Sequence, residues 1–174
     1  METMNALLER RSCRSYKPDP VPGEVLEEIL KAGTYAATGM GKQSPIILAV
    51  TNKETRDQLS RINAAIMGKE DGFDPFYGAP VVLVVLGDRN IYTHVCDGSL
   101  VMGNLMLAAH DKGLGSCWVH RAKETFDSPE GKAILKKLGI EGDYEGIGNC
   151  VLGYPDGPCK PAAPRKENYI YYIK

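Results

Sequence analysis

The chain has 174 residues, 43% of them hydrophobic and 25% charged, with a net charge of -1. That is enough for one domain with its own core, without disulfides or a structural metal, and residues 1–174 read as a single unit. A near-neutral chain has no global field to draw it to nucleic acid or to an anionic membrane, so any anion site must be a local cluster.

The N-terminus runs from Met1 into an amphipathic pattern, with no basic segment followed by an apolar one, so no secretory signal is expected. The five cysteines are odd in number, dispersed and free of any Cys-x-x-Cys pair. This favours reduced thiols and a cytoplasmic location. The longest weakly charged stretch, 91–109, contains His94, Asp97 and Asn104, which argues against a membrane span.

In chain order, residues 3–11 read as a short helix with Met4, Leu7 and Leu8 on one side. Three prolines between Pro18 and Pro22 enforce a loop. A helix over 23–37 carries Val25, Leu26, Ile29, Leu30 and Gly33 on its buried face, and 38–45 is a glycine-containing loop. The apolar run 46–51 predicts a buried strand. Residues 53–67 predict a helix with Leu59, Ile62 and Ile66 inward. A polar, aromatic loop over 68–78 leads to 80–87, which reads as a central strand covered on both faces.

Residues 92–112 form the longest predicted helix, apolar around most of its circumference. It is therefore expected at the centre of the fold, where it could also meet a second subunit. Gly113 ends it. A strand over 116–120 follows, then a helix over 128–138 with Ser128 as N-cap and Pro129 at its first position. Residues 144–154 predict a strand with a Gly146-Ile147-Gly148 irregularity. The tail from about 155 to 174 holds four prolines and closes on the β-prone Tyr169-Ile170-Tyr171-Tyr172-Ile173. A proline-rich arm of this length can reach about 40 Å. Its last residues can pair with a sheet edge of their own chain or of a partner.

Arg10, Arg11, Arg14 and Lys17 fall within eight positions, with Ser12 among them and no acidic residue between Arg10 and Lys17. Guanidinium groups hold phosphate oxygens bidentately, although a charge run of this kind also reads as a solvated patch. The 38–45 loop offers backbone donors with Lys42 and Gln43, and also reads as a plain connection. It lacks the Walker spacing, and no Gly-x-Gly-x-x-Gly follows a first strand. The three histidines are scattered and make no recognised metal set, and no Gly-x-Ser-x-Gly elbow occurs. With no side-chain nucleophile assembled, reactivity borrowed from an organic cofactor fits the pattern.

The chain resembles the nitroreductase family of flavoproteins along nearly its whole length. The resemblance is carried in order by Arg10-Arg11-Ser12-x-Arg14-x-Tyr16, Thr38–Pro45, Gly78-Ala79-Pro80, Asp97-Gly98, Gly113–Trp118, Leu152–Pro155 and Pro164-Arg165-Lys166. It implies a three-layer α+β fold, a mixed, mainly antiparallel sheet flanked by helices, and an intertwined homodimer that exchanges its C-terminal arms. It also implies FMN as cofactor, NADH or NADPH as reductant, and a nitroaromatic, quinone or similar small molecule as acceptor. Same-fold alternatives are reductive dehalogenation, flavin fragmentation or non-catalytic flavin binding. Arg10, Arg11, Ser12, Arg14 and Arg165 would meet the flavin phosphate and ribityl chain. Thr38, Gly41, Lys42 and Gln43 would approach from the neighbouring subunit, and Ser116, Cys117 and Trp118 would line the ring. No residue is expected to be catalytic, because the chemistry belongs to flavin N5. Gly41 stands where the family often has Asn, so that contact must come from other groups.

Overall fold

A computed structural model describes residues 2–174; Met1, the start of the expected first segment, lies outside them. The elements are α1 (Thr3–Glu9), α2 (Gly23–Thr34), β1 (Ile46–Val50), α3 (Lys53–Ile66), β2 (Val81–Asp88), α4 (His94–Asp111), β3 (Gly115–Val119), α5 (Ala122–Asp127), α6 (Pro129–Lys137) and β4 (Tyr144–Gly153).

The sheet has the order β1-β2-β4-β3. All three pairings are antiparallel, where a mixed sheet was expected. The parallel contribution is an isolated bridge between Ser12 and Ser116, made by a segment too irregular to form a strand. Strand β2 is buried from Val81 to Gly87, as its unbroken apolar run predicts. Its alternate residues serve two cores. Val82, Val84 and Leu86 face Leu59, Phe76, Phe126 and Leu135. Val81, Leu83 and Val85 face Ile29, Met102 and Leu105. Helices therefore cover both faces of the sheet.

Local chemistry sets the helix limits. The Asn52 and Ser128 side chains accept the amides of Thr55 and Gly131 at the starts of α3 and α6. Gly113, at φ 76°, ends α4 in the left-handed conformation that glycine tolerates. Helix α5 was not expected. It opens on Arg121 at φ 75° with no side-chain cap, so neither of the usual signals marks its start.

The inward face of α3 differs from its apolar pattern. Arg56, Ser60 and Asn63 are buried with Leu59, whereas Ile66 is 38% exposed. The reason is polar. Arg56 and Ser60 both donate to the Asp74 carboxylate, which also accepts the amides of Phe76 and Gly78. Arg56 Nε donates to the Ala79 carbonyl at 3.0 Å. Burial alone would raise the Asp74 pKa. The hydrogen bonds from Arg56, Ser60, Gly78 and Phe76 outweigh it and hold the carboxyl below its usual value. The network fixes the 68–79 loop ahead of β2.

A lowered native pKa contributes stability above the unfolded carboxyl value, and that stability is lost as pH falls through the native one. Asp74→Asn should therefore cost about 2–3 kcal/mol at pH 7, measured by urea unfolding. The gap to the parent chain should narrow below about pH 4.

Candidate functional site

The N-terminal segment after α1 lies along the outer edge of β3. The Cys13 amide donates to the Ser116 carbonyl at 2.9 Å. Farther along, Tyr16 bridges Pro155 in antiparallel fashion. The Lys17 amide donates to Tyr154, and the Asp156 amide donates to Ser15. The Tyr16 hydroxyl is buried and donates to the Cys13 carbonyl at 2.8 Å; burial raises its pKa. One segment thus joins the sheet edge on one side to the root of the C-terminal arm on the other.

This seam forms a cavity of about 590 Å³ lined by Arg10, Arg11, Ser12 and Arg14 from one wall and Lys160 and Arg165 from the other. Leu7, Leu8, Pro161, Ala162 and Ala163 complete it, and no acidic residue lines it. Arg11 donates to the Leu8 and Arg10 carbonyls, both at 2.7 Å, and Arg165 donates to the Ala163 carbonyl. The Nη1 of Arg10 is buried without a partner. A buried cationic donor beside four further cations is unfavourable unless an anion joins them. The donor set is that of a phosphate site, with planar guanidinium forks, an ammonium and a hydroxyl.

Five expected binding residues therefore come together: Arg10, Arg11, Ser12, Arg14 and Arg165. Lys160 joins them without having been anticipated; its place depends on how the arm folds back. Ser116 and Cys117 lie directly behind this wall, with their side chains buried. Burial raises the Cys117 pKa, against the opposing pull of Arg14, Ser12 and Arg10, so this thiol is held protonated.

Trp118 lines a second cavity, of about 580 Å³, with His120, Arg121 and Ile147. Ile147 is the extra residue of a bulge: β2 register passes from Gly148 opposite Val85 to Gly146 opposite Leu86. A methyl group at Gly146 would sit 2.1 Å from the Ala122 carbonyl, and one at Gly148 would sit 2.5 Å from Trp118 Nε1. The Gly-Ile-Gly irregularity thus admits both the β3–α5 corner and the indole. The His120 carbonyl accepts from Asn63 at 2.8 Å and Asn149 at 3.2 Å. Both asparagines are buried, and they hold the corner where Arg121 takes its left-handed conformation. Strain so firmly supported is a common mark of binding sites. Strand β3 links the two cavities: its Ser116 bridges Ser12 of the basic cavity, and its Trp118 lines the second.

The 38–45 loop lies elsewhere in this chain. Thr38 and Gln43 line a separate cavity of about 310 Å³ with Leu30, Ile47 and Val101, and Gly41 and Lys42 are exposed. Asp97, buried at the start of α4, anchors the loop. It accepts the Gly39 amide at 2.9 Å, the Thr93 hydroxyl at 2.9 Å and the Ser44 hydroxyl at 3.4 Å. Met40 and Gln43 adopt positive φ within it. A shaped, anchored loop with strained residues is preorganised.

Fold and cavity together define a three-layer α+β protein with a basic cavity at the edge of its sheet. The chain belongs to the nitroreductase family, whose profile matches residues 7–154. A nitroreductase with bound FMN from Bacteroides fragilis superposes with a TM-score of 0.89 at 28% identity, over 100% of both chains. An iodotyrosine deiodinase from Thermotoga neapolitana is 26% identical over 182 residues, 94% of each chain. An NADPH-flavin oxidoreductase from Vibrio harveyi is 26% identical over 170 residues, 88% of this chain and 66% of that protein.

Asp97→Ala should release the Gly39 amide and the Ser44 hydroxyl together. Faster amide exchange confined to residues 38–44 is expected, with Tm lowered by about 5 °C. Unchanged exchange in the loop would show that other contacts shape it.

Proposed function

We propose that this protein is an FMN-dependent oxidoreductase that passes electrons from NADH or NADPH to a small oxidised acceptor. The observation that carries the reading is the basic cavity at the β3 edge, where a buried, unpartnered Arg10 donor stands among Arg11, Arg14, Lys160 and Arg165 with no acidic residue in the lining. Those groups fit a phosphate monoester. In a nitroreductase-family chain, the flavin phosphate is the natural occupant.

Arg10, Ser12, Arg14 and Arg165 would hold the phosphate, with Arg11 and Lys160 adding positive charge. The Trp118–His120–Arg121 cavity at the far end of the same strand would receive the ring system. Bound FMN would supply two-electron transfer between the nicotinamide and a nitroaromatic, quinone or similar acceptor. The chain itself supplies position, exclusion of water and charge rather than a side-chain acid or base.

The Thr38, Gly41, Lys42 and Gln43 loop is remote from the basic cavity in one chain, so its contribution would come from a second subunit. Large apolar side chains support such a homodimer. Met4, Leu7 and Leu8 on α1, Val95 and Leu100 on α4, and Tyr169 to Ile173 on the arm are all exposed. Apolar surface on that scale calls for a partner. The arm makes no strand pairing with its own sheet, which favours pairing across the dimer. The full-length likeness to an iodotyrosine deiodinase favours reductive dehalogenation as the second reading.

The reading is tested by the visible spectrum and solution size of the purified protein after adding FMN. Stoichiometric flavin in a dimer is expected. A colourless monomer would overturn the proposal. Arg14→Ala and Arg165→Ala should each weaken FMN binding about 10- to 100-fold, as loss of a charge-assisted contact does. Reduction of a quinone by NAD(P)H, compared with deiodination of iodotyrosine, separates the two chemistries.

Deleting residues 167–174 should shift the dimer toward monomer at micromolar concentration, read by sedimentation. A dimer of unchanged strength would place the interface on α1 and α4 alone.

A further inference from the structure

Two free thiols meet at the base of the arm. Antiparallel pairing of Tyr16 with Pro155, reinforced by the Asp156 amide on the Ser15 carbonyl, starts the arm back along the N-terminal segment, and Ser12 and Lys160 then line the same cavity. Cys13 is 5% exposed, and its thiol donates to the Ser15 carbonyl at 3.1 Å, which leaves the sulfur lone pairs to accept. The Cys159 thiol, on the exposed side, lies beside Cys13. Burial and this contact push its pKa up. Cys13 lies between Ser12 and Arg14 on one wall of the basic cavity, and Cys159 immediately precedes Lys160 on the other.

We infer that Cys13 and Cys159 form a reversible disulfide that pins the C-terminal arm across the basic cavity. Cys159 is the sulfur that a solvent oxidant can reach, and it reacts through its thiolate form. Cys159 attacks a hydroperoxide, the O–O bond breaks, and Cys159 becomes a sulfenic acid while an alcohol, or water from hydrogen peroxide, departs. Cys13 then attacks the Cys159 sulfur. The S–S bond forms, the S–O bond breaks, and water leaves with the Cys13 proton. Two electrons pass from the thiol pair to the peroxide, and an external dithiol returns them by exchange. The staple joins residues 146 positions apart, at the point where the arm leaves the sheet. It removes the freedom of Lys160 and Arg165 to swing away together. Under the FMN reading proposed above, the oxidised protein releases its flavin more slowly.

The test treats the FMN-loaded protein with a few equivalents of hydrogen peroxide. The intact mass should fall by two hydrogens per chain. Digestion should yield Ser12-Cys13-Arg14 linked to the peptide carrying Cys159, with fragment ions placing the bond there rather than at Cys150. FMN release on dilution, followed by flavin fluorescence, should slow at least about threefold and recover with dithiothreitol. Cys159→Ser should abolish both effects, and Cys96, exposed on α4, should remain unlinked. Overoxidised Cys159 without the linkage, or a linkage between chains, would overturn the inference. A 13–159 linkage that leaves FMN release unchanged would overturn the pinning. If the protein takes up no FMN, the flavin reading fails by itself, while the peptide linkage still decides whether the thiol pair closes.

Discussion

A short main-chain seam organises this molecule. Residues 13–17 hydrogen-bond to β3 through Cys13 and to the end of β4 through Lys17. Without that seam β3 would be an open edge, and the arginines before and within it would project into solvent as a repelling cluster. With it, the edge is covered, and Arg10, Arg11 and Arg14 are held against a strand whose other end carries Trp118. Because the same segment also grips Pro155, the arm begins where it can bring Lys160 and Arg165 to the opposite wall. Protection of the edge and assembly of the basic cavity are thus met by the same segment.

The hydrophobic layers serve this seam by keeping the sheet rigid. Strand β2 is buried on both faces, and β4 next to it is buried from Gly148 to Gly153. Where β4 must bend, Gly146 and Gly148 remove side chains so that α5 and the indole can approach. Several buried or half-buried polar groups hold turns. Asp74 fixes the loop before β2, Asp97 fixes the loop before β1, and Asn63 with Asn149 holds the His120–Arg121 corner. Asp74 and Asp97 are satisfied by side chains and amides of the loops they hold, and the Asn63 and Asn149 amides donate to the His120 carbonyl.

Several exposures fit the homodimer proposed above. Leu7 and Leu8 line the basic cavity yet remain more than half exposed. The arm carries five consecutive large residues into solvent. The glycine loop that resembles a flavin contact lines a cavity separate from the basic one of its own chain. A second copy would supply apolar cover, a sheet edge and the missing side of the site together.

By itself, the sequence determined most of the elements and the charge of the basic cavity. Long apolar runs and three-to-four spacing are local signals, so β2, α2 and α4 were legible to within a few residues. Arg10 to Arg14 was legible as a charge run, and as a ligand site only through its resemblance to a family pattern. The tertiary structure decided what depends on distant neighbours. Ser60 and Asn63 turn inward on α3 because their partners, Asp74 and the His120 carbonyl, come from elsewhere in the chain. Helix α5 starts on a strained arginine that no local rule favours, because two buried amides hold the preceding carbonyl. Lys160 and Cys159 gain their places because the arm folds back along residues 12–16. Periodicity and capping act over a few residues, whereas a cavity joins segments 150 positions apart, and only packing of the whole chain brings them together.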